Sequence, residues 1–245
     1  TSQVATTVVN EISNPGNILV FLSGISDINR CLKLTKDKLP TNTEVDLFPL
    51  HGSLPLKAQL QAINSNDTKQ TRVIFSTNIA ETSLTIEGVT CVIDAGTEKV
   101  LKFNPTSGLS SLTLSRISKA SAEQRKGRAG RLSVGKCIRL WSKVEHTALN
   151  DYQQEEIKTA DLADIILQLA KVGHVVFNEI PWLTPPPKAH FDSTQDLLQQ
   201  LDLLNQQYKI TEKGHAAVAI ATHPRLAKML LAANTDKEKE VACYL

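Results

Sequence analysis

The chain has 245 residues, of which 41% are hydrophobic and 21% are charged, and its formal net charge is +2. This length and hydrophobic content suit one large domain or two modest ones, and we expect two. A net charge so close to zero excludes a strongly basic protein that attracts nucleic acid through its overall field. An anionic partner would therefore have to be bound by a local cationic patch.

The sequence carries no sign of a membrane or secreted protein. No apolar run approaches the roughly 20 residues that a transmembrane helix needs, and the first residues lack the charged and apolar segments of a signal peptide. The four cysteines, Cys31, Cys91, Cys137 and Cys243, are far apart and form no CxxC pair, which is typical of reduced thiols. We therefore expect a cytoplasmic protein with no membrane partner.

In the first half of the chain, short aliphatic runs alternate with helical patterns, which is typical of an α/β protein with a parallel sheet. Residues 1–16 are polar and are predicted to be a linker. The predicted strands are 17–22, 44–50, 72–75, 91–94 and 136–141. Predicted helices follow the first two strands and begin at Gly24 and Pro55. This pattern predicts one parallel-sheet domain over residues 17–146.

A β-hairpin is predicted between residues 98 and 116. Two segments of alternating polarity, KVLKF and LSSLTLS, flank a turn-forming run from Asn104 to Gly108 that contains Pro105. The hairpin is expected to be an insertion in the parallel-sheet domain.

After the last predicted strand the pattern changes to helices. The predicted helices include 160–172 and 189–204, and 208–210 fits a short strand or wing. Helices followed by a short wing predict a mainly helical winged-helix domain over residues 147–220. Residues 221–245 are predicted to begin a further helical domain.

The segment SAEQRKGRAGR, residues 121–131, carries Arg125, Arg128 and Arg131 at three-residue spacing. On a helix these side chains would share a face and form one cationic ridge. Guanidinium groups bind phosphate oxygens in pairs, so such a ridge is suited to a polyphosphate. The alternative is a basic helix that faces solvent.

A second polar segment, STNIAETSLTI at residues 76–86, directly follows a predicted buried strand. Ligands of parallel α/β sheets bind at the carboxyl ends of strands. Small side chains such as Thr77 and Asn78 can donate hydrogen bonds to phosphate oxygens there. Two interpretations carry equal weight on this segment alone: a phosphate-binding loop, or an ordinary capped turn.

Motifs for other chemistry are missing from the sequence. Residues 130–136, GRLSVGK, match GxxxxGK, but Cys137 replaces the Ser or Thr that would hold magnesium, and the predicted helix and strand are in the wrong order. The chain contains no DExH or DExD sequence, and its six histidines lack metal-ligand spacing. We predict no metal site.

Four segments, in order, resemble motifs IV, V, Va and VI of the DEAH-box helicases of superfamily 2. They are VFLSG at 20–24, STNIAETSLTI at 76–86, VIDAG at 92–96 and SAEQRKGRAGR at 121–131. The later segments, from DLADIILQLA through PWLTPPP and TEKGHAAVA to HPRLAKML, look like the winged helix and the beginning of the ratchet domain of the same group. The resemblance covers about residues 17–233. Several short sequence segments are most similar to those of the bacterial HrpB-type helicases.

The resemblance implies a fold and an activity. The fold would be an α/β RecA-like second helicase lobe with a β-hairpin insertion, followed by the winged helix. The activity would be that of an ATP-dependent RNA helicase, with DNA as an alternative substrate. ATP or another NTP, with Mg²⁺, would bind between this lobe and a first RecA-like lobe that carries the phosphate loop and the DEAH box, which this chain lacks.

The resemblance also assigns roles to individual residues. Arg128 and Arg131 would act as arginine fingers at the γ-phosphate, with Gln124 facing the same triphosphate, whereas Arg125 could be structural. The other residues implied at the nucleotide are Ser83, Thr85, Ile63 and Gly127. The implied nucleic-acid contacts are Ser23, Gly24, Thr77, Asn78 and Asn104. Many eukaryotic members have a Phe near the position of Ile63, and that Phe stacks on the nucleotide base. Ile63 would make only a weaker apolar contact with the base, so little preference for ATP over GTP is expected.

Two other functions stay open on the sequence. One is a nucleic-acid-binding module that works through the winged helix and the hairpin, and the other is a protein-interaction scaffold without NTP turnover. The motor is favoured because a binding module has no use for the set of Gln124, Arg128 and Arg131 beside a hydroxyl-rich loop. The chain alone is expected to hydrolyse no nucleotide.

Overall fold

The structure is a computed structural model that describes residues 1–41, 43–64, 70–82, 84–104, 107–130 and 134–244. The chain divides into two compact units. The first unit comprises Thr1–Val100 and Leu112–Gln153, and the second comprises Leu101–Ser111 and Gln154–Leu245.

The first unit is built on a five-stranded parallel sheet, which confirms the predicted α/β class. Its strands are β1 (Asn17–Phe21), β2 (Val45–Leu50), β3 (Thr71–Ser76), β4 (Val89–Asp94) and β7 (Lys136–Arg139), in the order β2-β3-β1-β4-β7. The central strand β1 is apolar almost throughout because helices cover both faces of the sheet. Its residues alternate between two separate apolar clusters, with Ile18 and Val20 in one and Leu19 and Phe21 in the other.

Helices of the first unit pack on both faces of this sheet. Within the described ranges they are α1 (Ser2–Glu11), α2 (Ile25–Lys38), α3 (Leu56–Ile63), α4 (Ile79–Thr82), α5 (Lys119–Lys126) and α6 (Lys143–Thr147). On one face of the sheet, α1 and α2 contribute Val8 and Ile28 to the core. On the other face, α3 and α4 contribute Ala62 and Ala80. The sheet is therefore a layer between two groups of helices.

Residues 2–11 form helix α1, so the prediction that residues 1–16 are a linker is wrong. Residues 1–16 read as a polar lead-in, but Val4, Val8 and Ile12 recur at four-residue spacing and are buried against the sheet. The pattern is weak because threonines interrupt it and no side chain caps the helix at Thr1. Burial of one apolar stripe forms the helix where local signals do not.

The predicted hairpin is present. Strands β5 (Thr97–Asn104) and β6 (Leu109–Arg116) form a separate two-stranded sheet. Pro105 and Thr106, in the connection, lie outside the described residues. The base of the hairpin belongs to the first unit, whereas its tip, Leu101–Ser111, belongs to the second.

The second unit is mainly helical. Its helices are α7 (Ala163–Lys171), α8 (Lys188–Gln200), α9 (Glu212–Ile220), α10 (Pro224–Ala232) and α11 (Asp236–Cys243). Its core includes Ile166, Phe191 and Leu198. Leu204 and Ile210 form an antiparallel bridge around the segment predicted as a wing. The boundary between the units falls after Gln153, later than the 146/147 boundary expected from the sequence, and the winged-helix assignment stays a prediction.

All four cysteines are free thiols. Burial raises the pKa of the Cys31 and Cys91 thiols to about 11, so both are protonated at neutral pH. Cys137 is half-buried and Cys243 is exposed. Among the described residues, no helix is both long and apolar enough to cross a membrane.

Truncating Val8 to alanine tests whether α1 is part of the folded domain. Val8 is fully buried, so Val8→Ala should lower the free energy of unfolding by about 1–3 kcal/mol. Val144 on α6 is 80% exposed, and the control Val144→Ala should change it by less than about 0.5 kcal/mol. Urea unfolding followed by circular dichroism measures both. Equal stabilities for the two variants would show that residues 1–16 act as a linker after all.

Candidate nucleotide and nucleic-acid site

The carboxyl ends of β1 and β3 bring together four of the residues predicted to contact nucleic acid. The two strands are parallel neighbours, with Phe21 opposite Ser76. The N–H of Leu22 donates to the carbonyl of Ser76 over 2.8 Å. Ser23 and Gly24 follow β1, and Thr77 and Asn78 follow β3. The strand order therefore places these four residues at one edge of the sheet.

These four residues differ in how far they can meet a ligand. Asn78 is exposed and Thr77 is half-buried. Ser23 is only 6% exposed, and its hydroxyl donates to the carboxylate of Asp27 in the first turn of α2. Asn78 and Thr77 are therefore the side chains that this edge presents, whereas Ser23 is engaged within the protein.

Lys99 is a cation at this edge that the sequence reasoning does not identify. A Cβ atom placed on Gly24 would lie 3.2 Å from Cδ and 3.4 Å from Nζ of Lys99. The lysine side chain therefore lies directly against the backbone of Gly24. Its position depends on how the base of the hairpin packs on the sheet, and no local sequence pattern reports that.

A buried charge cluster around Arg125 joins several segments of the first unit. The Arg125 guanidinium is fully buried and lies 2.8 Å from Glu81, 3.0 Å from Asp94 and 3.7 Å from Glu98. It also stacks over the ring of Phe21, with 5.0 Å from Cζ to the ring centroid. One cation thus ties α5 to α4, to the end of β4 and to the start of β5.

The cluster holds more acidic groups than basic ones. Burial raises the pKa of Asp94 and of Glu98, and the nearby guanidinium of Arg125 lowers them again only in part. The Nε2 of Gln153 donates to Glu98 over 2.7 Å, but the other oxygen of Glu98 has no hydrogen-bond partner among the described residues. Folding therefore makes both carboxylates bind a proton more readily than they do in the unfolded chain.

The predicted ridge of three arginines does not form. Helix α5 ends at Lys126, so Arg128 lies in the following turn, and Arg125 points into the protein. Gly127 is the C-cap, and the N–H of Arg128 donates to the carbonyl of Arg125 in that turn. The sequence spacing is compatible with a longer helix, but the attraction of buried carboxylates turns Arg125 inward.

Arg128 is held at a half-buried position by the main chain of another segment. Its guanidinium donates to the carbonyl of Leu84 over 2.7 Å and to the carbonyl of Glu81. Glu81 lies in α4, and Leu84 lies just after α4. Gln124, one turn earlier on α5, and Gly127 are exposed. The structure therefore places Gln124, Gly127 and Arg128 together at the end of α5.

The other predicted nucleotide contacts share this side of the sheet where they are described. Ile63, at the end of α3, is half-buried and packs on the same apolar cluster as α4. Thr85 is exposed and follows Leu84. Ser83 and Arg131 lie outside the described residues. Helices α3, α4 and α5 thus present these residues on one surface, the predicted nucleotide-side surface.

Asn104 belongs to the second unit rather than to this sheet. It is exposed at the end of β5, and its carbonyl accepts a hydrogen bond of 2.8 Å from the N–H of Gly108. Its predicted contact with nucleic acid stays a prediction.

The described part of the chain contains no group of three or more His, Cys, Asp or Glu side chains that could hold a metal ion. The acidic residues nearest to the nucleotide-side surface already surround Arg125.

Comparison with known proteins identifies the first unit. Residues 3–133 match the protein family described as "Helicase conserved C-terminal domain". The ATP-dependent RNA helicase HrpB of Escherichia coli strain K12 is 36% identical over 230 residues, which are 94% of this chain and 28% of that protein. The ATP-dependent RNA helicase HrpA of Borreliella burgdorferi is 36% identical over 218 residues, which are 89% of this chain and 26% of that protein.

Solved structures agree with these relatives. The crystal structure of the Escherichia coli DEAH/RHA helicase HrpB matches with a TM-score of 0.91 and 34% identity, over 98% of this chain and 30% of that chain. The parallel sheet and this match define the α/β RecA-like domain found at the C-terminal side of helicase motors. The chain belongs to the helicase conserved C-terminal domain family. It spans less than a third of the length of each of these relatives.

Replacing Arg125 by methionine tests the buried cluster. Arg125→Met leaves Glu81, Asp94 and Glu98 without their cation, so it should lower the free energy of unfolding by about 3–5 kcal/mol. Arg116 makes a surface ion pair with Glu145 at 3.3 Å, and the control Arg116→Met should cost about 1 kcal/mol or less. Urea unfolding at neutral pH measures both. Similar losses for both arginines would contradict the structural role of Arg125.

Replacing Glu98 by glutamine tests the raised carboxyl pKa through pH. Because the folded state favours protonated Glu98, its contribution to stability is largest below its ordinary pKa of 4.5 and is lost as pH rises through the folded pKa. A glutamine side chain cannot titrate, so the stability of Glu98→Gln relative to the unaltered chain should increase as the pH rises from about 4.5 through the folded pKa of Glu98. Glu87 is exposed, and Glu87→Gln is the control for the loss of one surface carboxylate. Parallel pH profiles for all three proteins would show that Glu98 is not perturbed.

Proposed function

We propose that this chain is the C-terminal motor portion of an NTP-dependent RNA helicase. In this proposal the first unit supplies arginine fingers and nucleic-acid contacts across a cleft to a first RecA-like lobe. That lobe supplies the phosphate loop and the magnesium ligands, so ATP or another NTP is hydrolysed only when both lobes are present. The proposal rests on the named relatives, which are ATP-dependent RNA helicases, and on the surface formed by α3, α4 and α5.

The position of Arg128 is the observation that carries the proposal. Two main-chain carbonyls, of Glu81 and Leu84, orient its guanidinium. Each carbonyl accepts from a different nitrogen of the planar guanidinium, so the two hydrogen bonds together fix the direction of the group. The chain therefore uses one arginine of the motif to hold the fold and presents the next one near the surface.

A guanidinium in this position can act on a transferring phosphoryl group. Charge spreads over the equatorial phosphoryl oxygens as the bond to the leaving group breaks, and a fixed guanidinium stabilises that charge. Arg128 would make this contact, together with Arg131, and Gln124 would face the same phosphates from α5. An arginine finger is worth about 10³ to 10⁵ in kcat.

The same contacts connect the nucleotide to the nucleic acid. Arg128 donates to the main chain of α4 and of Leu84, and α4 begins directly after Thr77 and Asn78. A change in the position of Arg128 would therefore be transmitted through a four-residue helix to the edge that presents these two side chains. Gly24 and Lys99 at the neighbouring strand end would complete the grip on the phosphate backbone.

The second unit would act on the same nucleic-acid strand. We assign residues 147–220 to a winged-helix domain and residues 221–245 to the start of a ratchet-type domain, in which Asn104 on the hairpin contacts RNA, with DNA as the alternative. The solved HrpB structure matches 98% of this chain, which supports the assignment. The four free cysteines favour a reducing compartment such as the cytoplasm.

Replacing Arg128 tests the proposed function. In the polypeptide that joins this chain to its first RecA-like lobe, Arg128→Ala should reduce kcat of RNA-stimulated ATP hydrolysis by about 10³-fold or more. Arg128→Lys should also reduce this kcat, because an ammonium cannot reproduce the planar fork of a guanidinium. Arg30 is an exposed arginine on α2, on the opposite face of the sheet, and Arg30→Ala should leave kcat unchanged.

Two results would contradict the motor. One is full activity of the Arg128→Ala variant, which would show that Arg128 is not an arginine finger. The other is an intact protein that binds RNA but hydrolyses no NTP, which would favour a nucleic-acid-binding module instead. Hydrolysis by the 245-residue chain alone that Arg128→Ala abolishes would contradict the need for a second lobe.

A further inference from the structure

The second unit contains a pocket that the motor chemistry does not use. Its volume is about 370 Å³. Three segments form its wall: the hairpin tip, the stretch just before α7, and the first turns of α8. The lining side chains that matter here are Lys102, Phe103, Lys158, His190 and Ser193. All of them lie within the second compact unit.

A stacked ring pair forms the centre of this pocket. The rings of Phe103 and His190 are 5.1 Å apart between centroids and only 11° from parallel. The N–H of Phe103 donates to the carbonyl of Thr159 over 2.8 Å, which fixes the strand against the rest of the unit. Fixed, parallel rings are a surface on which a further planar ring can stack.

His190 carries an unused polar atom. The residue is 8% exposed, and its Nε2 has no hydrogen-bond partner among the described residues. Burial lowers the pKa of His190, so the imidazole is neutral at neutral pH. A buried ring nitrogen without a partner is unfavourable.

Two lysines line the pocket, and one of them is already ion-paired. Lys102 on β5 is exposed, and Lys158 is paired with Glu155 at 2.8 Å at the protein surface. Helix α8 begins at Lys188 beside the pocket, and no side chain caps its first turn. Uncapped N–H groups at the start of a helix attract anions. The pocket therefore combines an aromatic platform, cations and the positive end of a 13-residue helix.

We propose that this pocket binds one nucleotide of a single-stranded nucleic acid, with the base against Phe103 and His190 and the phosphate beside Lys102 and the start of α8. The proposal rests on the proposed nucleic-acid-binding function and gives the hairpin tip a defined contact. An acidic peptide would use the cations but would leave the half-buried ring of Phe103 without a second planar partner beside His190. The ring pair is therefore the feature that favours a nucleotide.

Binding of a ten-residue oligouridylate to the 245-residue chain tests this site, measured by fluorescence anisotropy without added NTP. Phe103→Leu keeps an apolar side chain but removes the ring, and should raise Kd by at least about fivefold. Lys102→Gln, at an exposed position, should raise Kd and reduce the salt dependence by about 0.7 in the log–log slope. Lys171 is exposed on α7, and the matched control Lys171→Gln should bind like the unaltered chain.

Two further probes decide the ligand class. An abasic ribose-phosphate decamer should bind more weakly than oligouridylate and should be insensitive to Phe103→Leu. A glutamate decapeptide should not displace the oligonucleotide, and displacement would assign the pocket to an acidic protein partner and overturn the proposal. Binding within twofold of the unaltered chain for both Phe103→Leu and Lys102→Gln would overturn it as well.

The outcome is independent of the arginine finger. In a chain that also carries Arg128→Ala, Phe103→Leu should still raise Kd by at least about fivefold. If Arg128→Ala also keeps full NTP hydrolysis while Phe103→Leu weakens binding, the motor proposal fails and the pocket stands. If Arg128 is essential for hydrolysis while Phe103→Leu and Lys102→Gln bind normally, the motor stands and the pocket fails. Melting followed by circular dichroism checks that each variant is folded.

Discussion

The burial of one guanidinium among carboxylates is the constraint on which the first unit depends. Arg125 has no exposed surface, and Glu81, Asp94 and Glu98 lie 2.8, 3.0 and 3.7 Å from it. A charge in that position is tolerated only if its partners are correctly placed. The cluster therefore fixes α4, α5, the end of β4 and the start of β5 relative to one another, and these segments carry the residues proposed to act on phosphate and on RNA.

A division of labour between two neighbouring arginines follows from this constraint. Arg125 makes its hydrogen bonds inside the fold, whereas Arg128 lies one turn later and is oriented by carbonyl groups. The carbonyls belong to the short segment that Arg125 itself anchors through Glu81. The position of the outer arginine thus depends on the inner one. A rigid support of this kind suits a catalytic group that must meet a phosphate within about 0.5 Å.

Much of the fold could be predicted from the sequence, and the failures have identifiable physical causes. Apolar runs such as that of β1 predict a parallel strand because both faces are covered, and the Asn104–Gly108 run predicts the hairpin by its turn chemistry. Helix α1 escapes such a prediction because tertiary burial, not local propensity, stabilises it. The prediction of an arginine ridge is wrong because the spacing of residues in the sequence does not show where a helix ends. It also does not show which side chain is drawn inward by carboxylates that are distant in sequence. Lys99 and the Phe103–His190 pair depend on contacts between segments far apart in sequence.

The hairpin has a topological consequence for the whole chain. Because β5 and β6 each cross the border between the two compact units, the polypeptide passes between them three times, after Val100, after Ser111 and after Gln153. A single proteolytic cut after Gln153 would leave one piece of the helical unit, the hairpin tip, covalently attached to the other fragment. Neither unit is encoded by one uninterrupted stretch, so exchanging modules with a related protein at that point would strip the helical unit of the aromatic ring that the hairpin tip contributes.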